Sequence, residues 1–183
     1  MMLSQLLVLK ILFLERSIGN KMAETILSKK SCKEIDTWLK KYPVDQKQSA
    51  VLAALRIVQH ENKGYLTTQL MDAVADYLEM AKIAVYEVAS FYSMYETKPV
   101  GRYSISVCNN ISCMLMGADN ILEHVEKKLG IKTGESTKDG KFYLKCEEEC
   151  LAACCGGPMM MIDHIYYENL TTDKVDKILE SLD

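Results

Sequence analysis

Two periods of hydrophobic residues divide the chain: up to about Tyr95 apolar positions recur every three to four residues, and beyond Pro99 they alternate. In the first part Asp45, with Gln48 three residues on, reads as a capping box. Val51, Leu52, Leu55 and Val58 then fall on one helical face. Gly64 closes that helix or opens the turn after it, and Thr67 or Thr68 caps the next, whose stripe is Leu70, Met71, Val74 and Leu78. A third helix carries Val85, Val88, Ala89 and Tyr92, and a shorter one around Ile35 to Leu39 is ended by Pro43. Together these predict a small helical bundle over residues 22–98, with its leucines and valines as packing residues. The FYSMY cluster, Phe91 to Tyr95, suits either a core or a protein interface, burial being the commoner fate.

After Pro99, Tyr103, Ile105 and Val107 alternate with Arg102, Ser104 and Ser106, which predicts a strand with unlike faces running straight into Cys108. Ile121, Leu122, Val125 and Leu129 form a helical stripe that Gly130 terminates. Phe142, Leu144 and Cys146 predict a second strand leading to Cys150, and Met159 to Asp163 and Ile165 to Tyr167 two more, tightly joined. Thr171 or Thr172 caps a last helix bearing Val175, Ile178, Leu179 and Leu182. The order β-α-β-β-β-α over residues 99–183 predicts a compact α/β sandwich, so the chain as a whole is α+β.

With 183 residues, 49% hydrophobic and 26% charged, the chain can bury one or two cores. The net charge is -3, and its 22 basic residues are scattered among 25 acidic ones, which leaves no footprint for nucleic acid and points to protein partners. Seven cysteines, an odd number gathered toward the C-terminal half, do not suit a secreted disulfide framework, and a reducing compartment fits better. Residues 1–14, MMLSQLLVLKILFL, are too short an apolar run to span a bilayer and lack the charged start and small-residue end of a secretory signal. The preferred reading of residues 1–21 is that Met22 is the true start; the other is an amphipathic extension that docks on a partner or a membrane surface.

The candidate chemistry lies in VCNNISC and EECLAACCGGP, which hold the pairs Cys108/Cys113 (C-x4-C) and Cys150/Cys154 (C-x3-C). Four thiolates are the ligand set of a [2Fe-2S] cluster. Gly156 and Gly157 behind the second pair remove side chains that would block backbone N–H groups from the sulfurs. Zinc also accepts four thiolates, but its structural sites favour tight knuckles, and a thiol-disulfide oxidoreductase would need a C-x-x-C that the chain lacks. Plant-type ferredoxins share the C-x4-C spacing but place the third ligand two residues on, whereas here 36 residues intervene. There is no G-x-G-x-x-G or P-loop, and His60, His124 and His164 are isolated in sequence, so no nucleotide site or independent active site is expected.

From about Cys32 onward the chain resembles the thioredoxin-like [2Fe-2S] ferredoxins that form the 24 kDa subunit of respiratory complex I, the E subunit of bacterial NADH-quinone oxidoreductase. The resemblance is carried by KYPVDQKQSAVLAALRIVQ, GYLT, DAVADYL, VYEVASFYSMY, KPVGRYSISVC, DGKF and ECLAACCGGPMM. It implies a thioredoxin-like α/β domain at 99–183 behind the helical bundle, and one cluster per chain on Cys108, Cys113, Cys150 and Cys154. The chain departs from the more usual family run CLGAC by having Ala152, and it adds a further thiol, Cys155. The resemblance further implies electron transfer as a subunit of an NADH:quinone oxidoreductase, with FMN and NADH on a flavoprotein partner and other peripheral-arm subunits nearby. The expected location is cytoplasmic, peripheral to the inner membrane, or on the matrix side in a mitochondrion. The equivalent subunit of a soluble NAD-linked hydrogenase or formate dehydrogenase, and an adapter whose metal only holds the fold, are the alternatives.

Overall fold

The computed structural model describes residues 25–145 and 150–182, and these fall into two compact units that divide between Pro99 and Val100. The expectations for residues 1–21, and for Cys146, lie outside the described residues.

In the first unit, α1 (Lys29–Leu39) begins well before Ile35, because the Ser28 hydroxyl accepts the Ser31 N–H at 3.1 Å and caps it. The Asp45/Gln48 capping box does not form. A short 3-10 turn, Lys47–Ala50, intervenes without a side-chain cap, and Asp45 instead accepts from the Gln46 amide at 3.3 Å. Helix α2 (Val51–Glu61) buries Val51, Ala54, Leu55 and Val58, an i, i+3, i+4, i+7 set. Leu52 is out of phase with that set and stays 39% exposed. Thr67 caps α3 (Thr68–Tyr77) by accepting the Leu70 N–H at 3.2 Å, and Met71, Val74 and Leu78 are buried as the stripe requires. Helix α4 (Lys82–Phe91) buries Val85 and Ala89, and one apolar core unites residues from all four helices. FYSMY divides: Tyr95 is buried and its hydroxyl donates to the Leu52 carbonyl at 2.7 Å, while Phe91, Tyr92 and Met94 are exposed. Gln59 staples this segment to α2, donating to the Met94 carbonyl at 3.0 Å and accepting from the Glu96 N–H at 2.8 Å.

In the second unit the elements run β1 (Tyr103–Val107), α5 (Ile111–Leu115), α6 (Ala118–Leu129), β2 (Phe142–Leu144), β3 (Met160–Ile162), β4 (Ile165–Tyr167) and α7 (Thr172–Glu180). They form a mixed sheet in the order β2-β1-β3-β4. Strand β1 pairs in parallel with β2, Ile105 opposite Leu144, and antiparallel with β3, Val107 opposite Met160. The apolar half of the alternation holds, Ile105 and Val107 joining the core formed with Ile121 and Val125 of α6 and Val175, Ile178 and Leu179 of α7. The polar half does not: Ser106, expected on an unlike face, is buried at 2% exposure because β1 is covered on both faces there. Helices α6 and α7 lie side by side, tied by His124 to Asp176 at 2.8 Å and by Lys128 to Glu180 at 2.8 Å. Gly130 ends α6 in the left-handed conformation, φ +67°, and the Thr171 hydroxyl caps α7 through the Lys174 N–H at 3.2 Å. Helices and a small mixed sheet are the α+β arrangement expected; the short helix α5 is the element that the hydrophobic pattern does not announce. Among the described residues no helix is long and apolar enough to cross a membrane.

Candidate metal centre

Strand β1 delivers the chain to Cys108, and the turn into α5 returns Cys113 beside it. Both are buried, at 2% and 1% exposure, in a small apolar cluster with Ala118, Leu151 and Met159. Leu151 belongs to the second cysteine segment, so the two segments meet there. Cys150 and Cys154 are exposed, Cys154 opening a 3-10 turn that runs to Gly156. The Cys108 thiol lies within hydrogen-bonding reach of the thiols of Cys113 and Cys150, and Cys113 feels the charge of Cys154. Cys155, the next residue, is exposed as well.

Burial pushes the Cys108 thiol up, but the backbone N–H groups of Leu151 and Asn110, with Cys113 and Cys150, outweigh it and hold the group below its ordinary value. Burial, together with the neighbouring Cys108, pushes Cys113 up to about 11, against the opposing pull of the Met159 N–H. The Ala152 N–H points at Cys150 Sγ, 3.4 Å away. Backbone donors at Asn110, Leu151, Ala152 and Met159 therefore face three of the four sulfurs. None of these four residues has a side chain that announces the role, so sequence reasoning passes over them.

The two glycines clear space at the thiol loop, Gly157 doing so beside a sulfur. The Gly156 N–H donates to the Ala153 carbonyl at 3.0 Å, and its missing side chain leaves room for Glu168, whose atoms would lie 2.6 Å from an added Cβ. At Gly157 an added Cβ would lie 2.6 Å from Met116 Sδ and 3.4 Å from Cys113 Sγ, in the space directly beside a candidate ligand. The glycines thus make way for side chains and a sulfur.

Among the described residues no three Cys, His, Asp or Glu side chains are grouped as a single metal ion would require. A tetrahedral zinc site draws all four sulfurs to one point. A [2Fe-2S] cluster spreads them over two irons, two thiolates to each, which suits two thiol pairs on facing segments. Of the histidines, His124 is engaged with Asp176, and His164 sits exposed in the turn between β3 and β4.

Comparison with known proteins agrees with this chemistry. The family model for thioredoxin-like [2Fe-2S] ferredoxins matches residues 35–183. The NADH-quinone oxidoreductase E subunit of Rickettsia prowazekii (strain Madrid E) is 45% identical over 152 residues, covering 83% of this chain and 85% of that protein. Its counterpart from Rickettsia conorii (strain ATCC VR-613 / Malish 7) is 42% identical over 165 residues, 90% and 98% of the two chains. The NADH-quinone oxidoreductase E 2 subunit of Rhizobium meliloti (strain 1021) is 40% identical over 148 residues, 81% and 86% of the two. Among solved structures, an NAD+-reducing [NiFe]-hydrogenase in the H2-reduced state is similar with a TM-score of 0.62 over 72% of this chain and 22% of that one; at 20% identity the likeness is one of fold. The chain belongs to the thioredoxin-like [2Fe-2S] ferredoxin family.

Proposed function

We propose that this chain is the electron-transfer subunit of the NADH-oxidising module of an NADH:quinone oxidoreductase, with one [2Fe-2S] cluster on Cys108, Cys113, Cys150 and Cys154. The observation that carries the reading is the meeting of two thiol pairs, from the end of β1 and from the loop ahead of β3, around Leu151 and Met159. The Rickettsia relatives, matched over most of their length, supply the complex to which the chain is assigned.

A bound cluster of this kind supplies reversible one-electron chemistry. The work of the protein is to shape its surroundings. Cys108 and Cys113 offer shielded sulfurs, Cys150 and Cys154 open ones, and the N–H groups of Asn110, Leu151, Ala152 and Met159 stabilise negative charge on them. Ala118, Leu151 and Met159 keep water from the buried pair. The redox partner in this reading is FMN on a flavoprotein subunit that also binds NADH. Helices α1 to α4 form a helical bundle domain, and the exposed Phe91, Tyr92 and Met94 make it a docking surface for that flavoprotein. The complex holds the chain at the cytoplasmic or matrix face of the inner membrane, and no other activity resides in it.

The test is EPR of the reduced, iron-loaded protein. A reversible one-electron signal integrating to about one spin per chain supports the reading. A metal that cannot be reduced and reoxidised would make the chain an adapter held by its metal. The genes beside its own, for a membrane arm or for a hydrogenase, separate the two oxidoreductase assignments.

A further inference from the structure

The turn that presents Cys154 is strapped down by the chain leaving β4. Asn169 donates its N–H to the Gly156 carbonyl at 2.6 Å, and Leu170 donates to that of Pro158 at 2.9 Å. Glu168, one residue earlier, lies over Gly156 so closely that its Cβ, Cδ and Oε2 would each be 2.6 Å from an added Cβ. Both ends of the side chain touch, so the carboxylate is folded back along the glycine. Lys174 of α7 donates to the Glu168 carbonyl and fixes the strap from its other side.

Packing alone does not call for a carboxylate here, because any side chain of similar shape would cover Gly156. The charge has a further consequence if a cluster occupies the neighbouring thiolates. On reduction one electron enters, one ferric iron becomes ferrous, and the group gains one unit of negative charge. A carboxylate held over a glycine two residues from a ligand opposes that gain.

We propose that Glu168 sets the reduction potential of the cluster, its carboxylate, clasped on Gly156, making the cluster harder to reduce. The inference rests on the ligand set proposed above. Glu168 acts through charge and position and touches no reacting atom. Lys174, a cation fixed to the same strap, acts in the opposite sense.

The experiment uses the full chain loaded with iron and sulfide and reduced stepwise by dithionite with mediators, followed by EPR. Glu168→Gln, which keeps the shape and removes the charge, should favour reduction by about threefold to tenfold, the upper value being about 59 mV for one electron. The shift should shrink as ionic strength rises, because the carboxylate is exposed to solvent. Lys174→Gln should move the potential the other way, and Glu168→Asp should restore part of the native value. Wild-type and Glu168→Gln proteins that load equally and titrate together would overturn the role of Glu168 alone, while a wild-type chain that takes up no cluster would overturn the ligand set and this inference together. Loss of the cluster in Glu168→Gln would make the charge a condition for holding the cluster rather than a setting of its potential, again against the proposal.

Discussion

At the scale of single residues the loop from Cys150 to Gly157 combines two exposed candidate ligands, an adjacent third thiol and a non-glycine residue at positive φ. Ala152 sits at φ +58°, in the left-handed region that glycine adopts freely and an L-residue does not. An L-residue there costs roughly 1–2 kcal/mol, and glycine gives part of that back to the unfolded chain as entropy. Ala152→Gly should therefore stabilise the metal-free chain by about 0.5–1 kcal/mol in urea unfolding under reducing conditions; an equal or lower midpoint would mean that the loop carries no such strain. For the adjacent thiols, Cys155→Ala should leave the cluster's absorbance and EPR line shape in place. Cys154→Ala should lose the cluster or distort its spectrum as Cys155 moves in, and the double variant should lose it entirely. The reverse pattern would put the ligand register off by one. The cysteines and their spacing are legible in the sequence because thiolates are the donors the chemistry needs. The backbone donors that face them are not, since an N–H at Met159 or Leu151 is a matter of geometry and looks like any other residue in sequence.

At the scale of elements, helical phase was legible where the apolar stripe was dense and failed where two phases competed. Leu52 is the example: it neighbours Val51 in sequence, but the buried face turns through the small Ala54 instead. The Asp45 cap failed because a 3-10 turn moved the start of α2 to Val51. The strands of the second unit were readable from their apolar positions, yet nothing in the pattern shows that Ser106 is buried too or how tightly Gly101 meets β2. An added Cβ there would lie 2.4 Å from the backbone carbonyl of Phe142, and backbone cannot step aside as a flexible side chain can. Gly101→Ala should cost about 2–3 kcal/mol in thermal or urea unfolding, and an unchanged midpoint would show that the crossing is loose. In the first unit the divided fate of FYSMY leads to a binding prediction. Replacing the exposed Phe91 and Tyr92 by Ala should weaken co-purification with a flavoprotein partner and leave folding intact, whereas undiminished association would remove this segment from the docking surface.

At the scale of the whole molecule, the change of period near Pro99 and the division of the described residues between Pro99 and Val100 have a common physical origin. Helices α1 to α4 bury one stripe each against one another, while the sheet of the second unit needs alternating faces and a helical layer, so neither pattern can serve the other core. The second unit then uses the end of its β1 and the loop ahead of β3 to carry the thiols. Those two points lie beside one another because Cys108 donates its N–H to the Met159 carbonyl at 3.1 Å, just beyond the β1–β3 pairing. The central claim is that this junction holds two irons on four thiolates. The most direct measurement is the iron and acid-labile sulfide content of the chain reconstituted without oxygen. The account predicts about two of each per chain, with the visible absorbance of a [2Fe-2S] cluster; stoichiometric zinc, with neither sulfide nor visible absorbance, would contradict it.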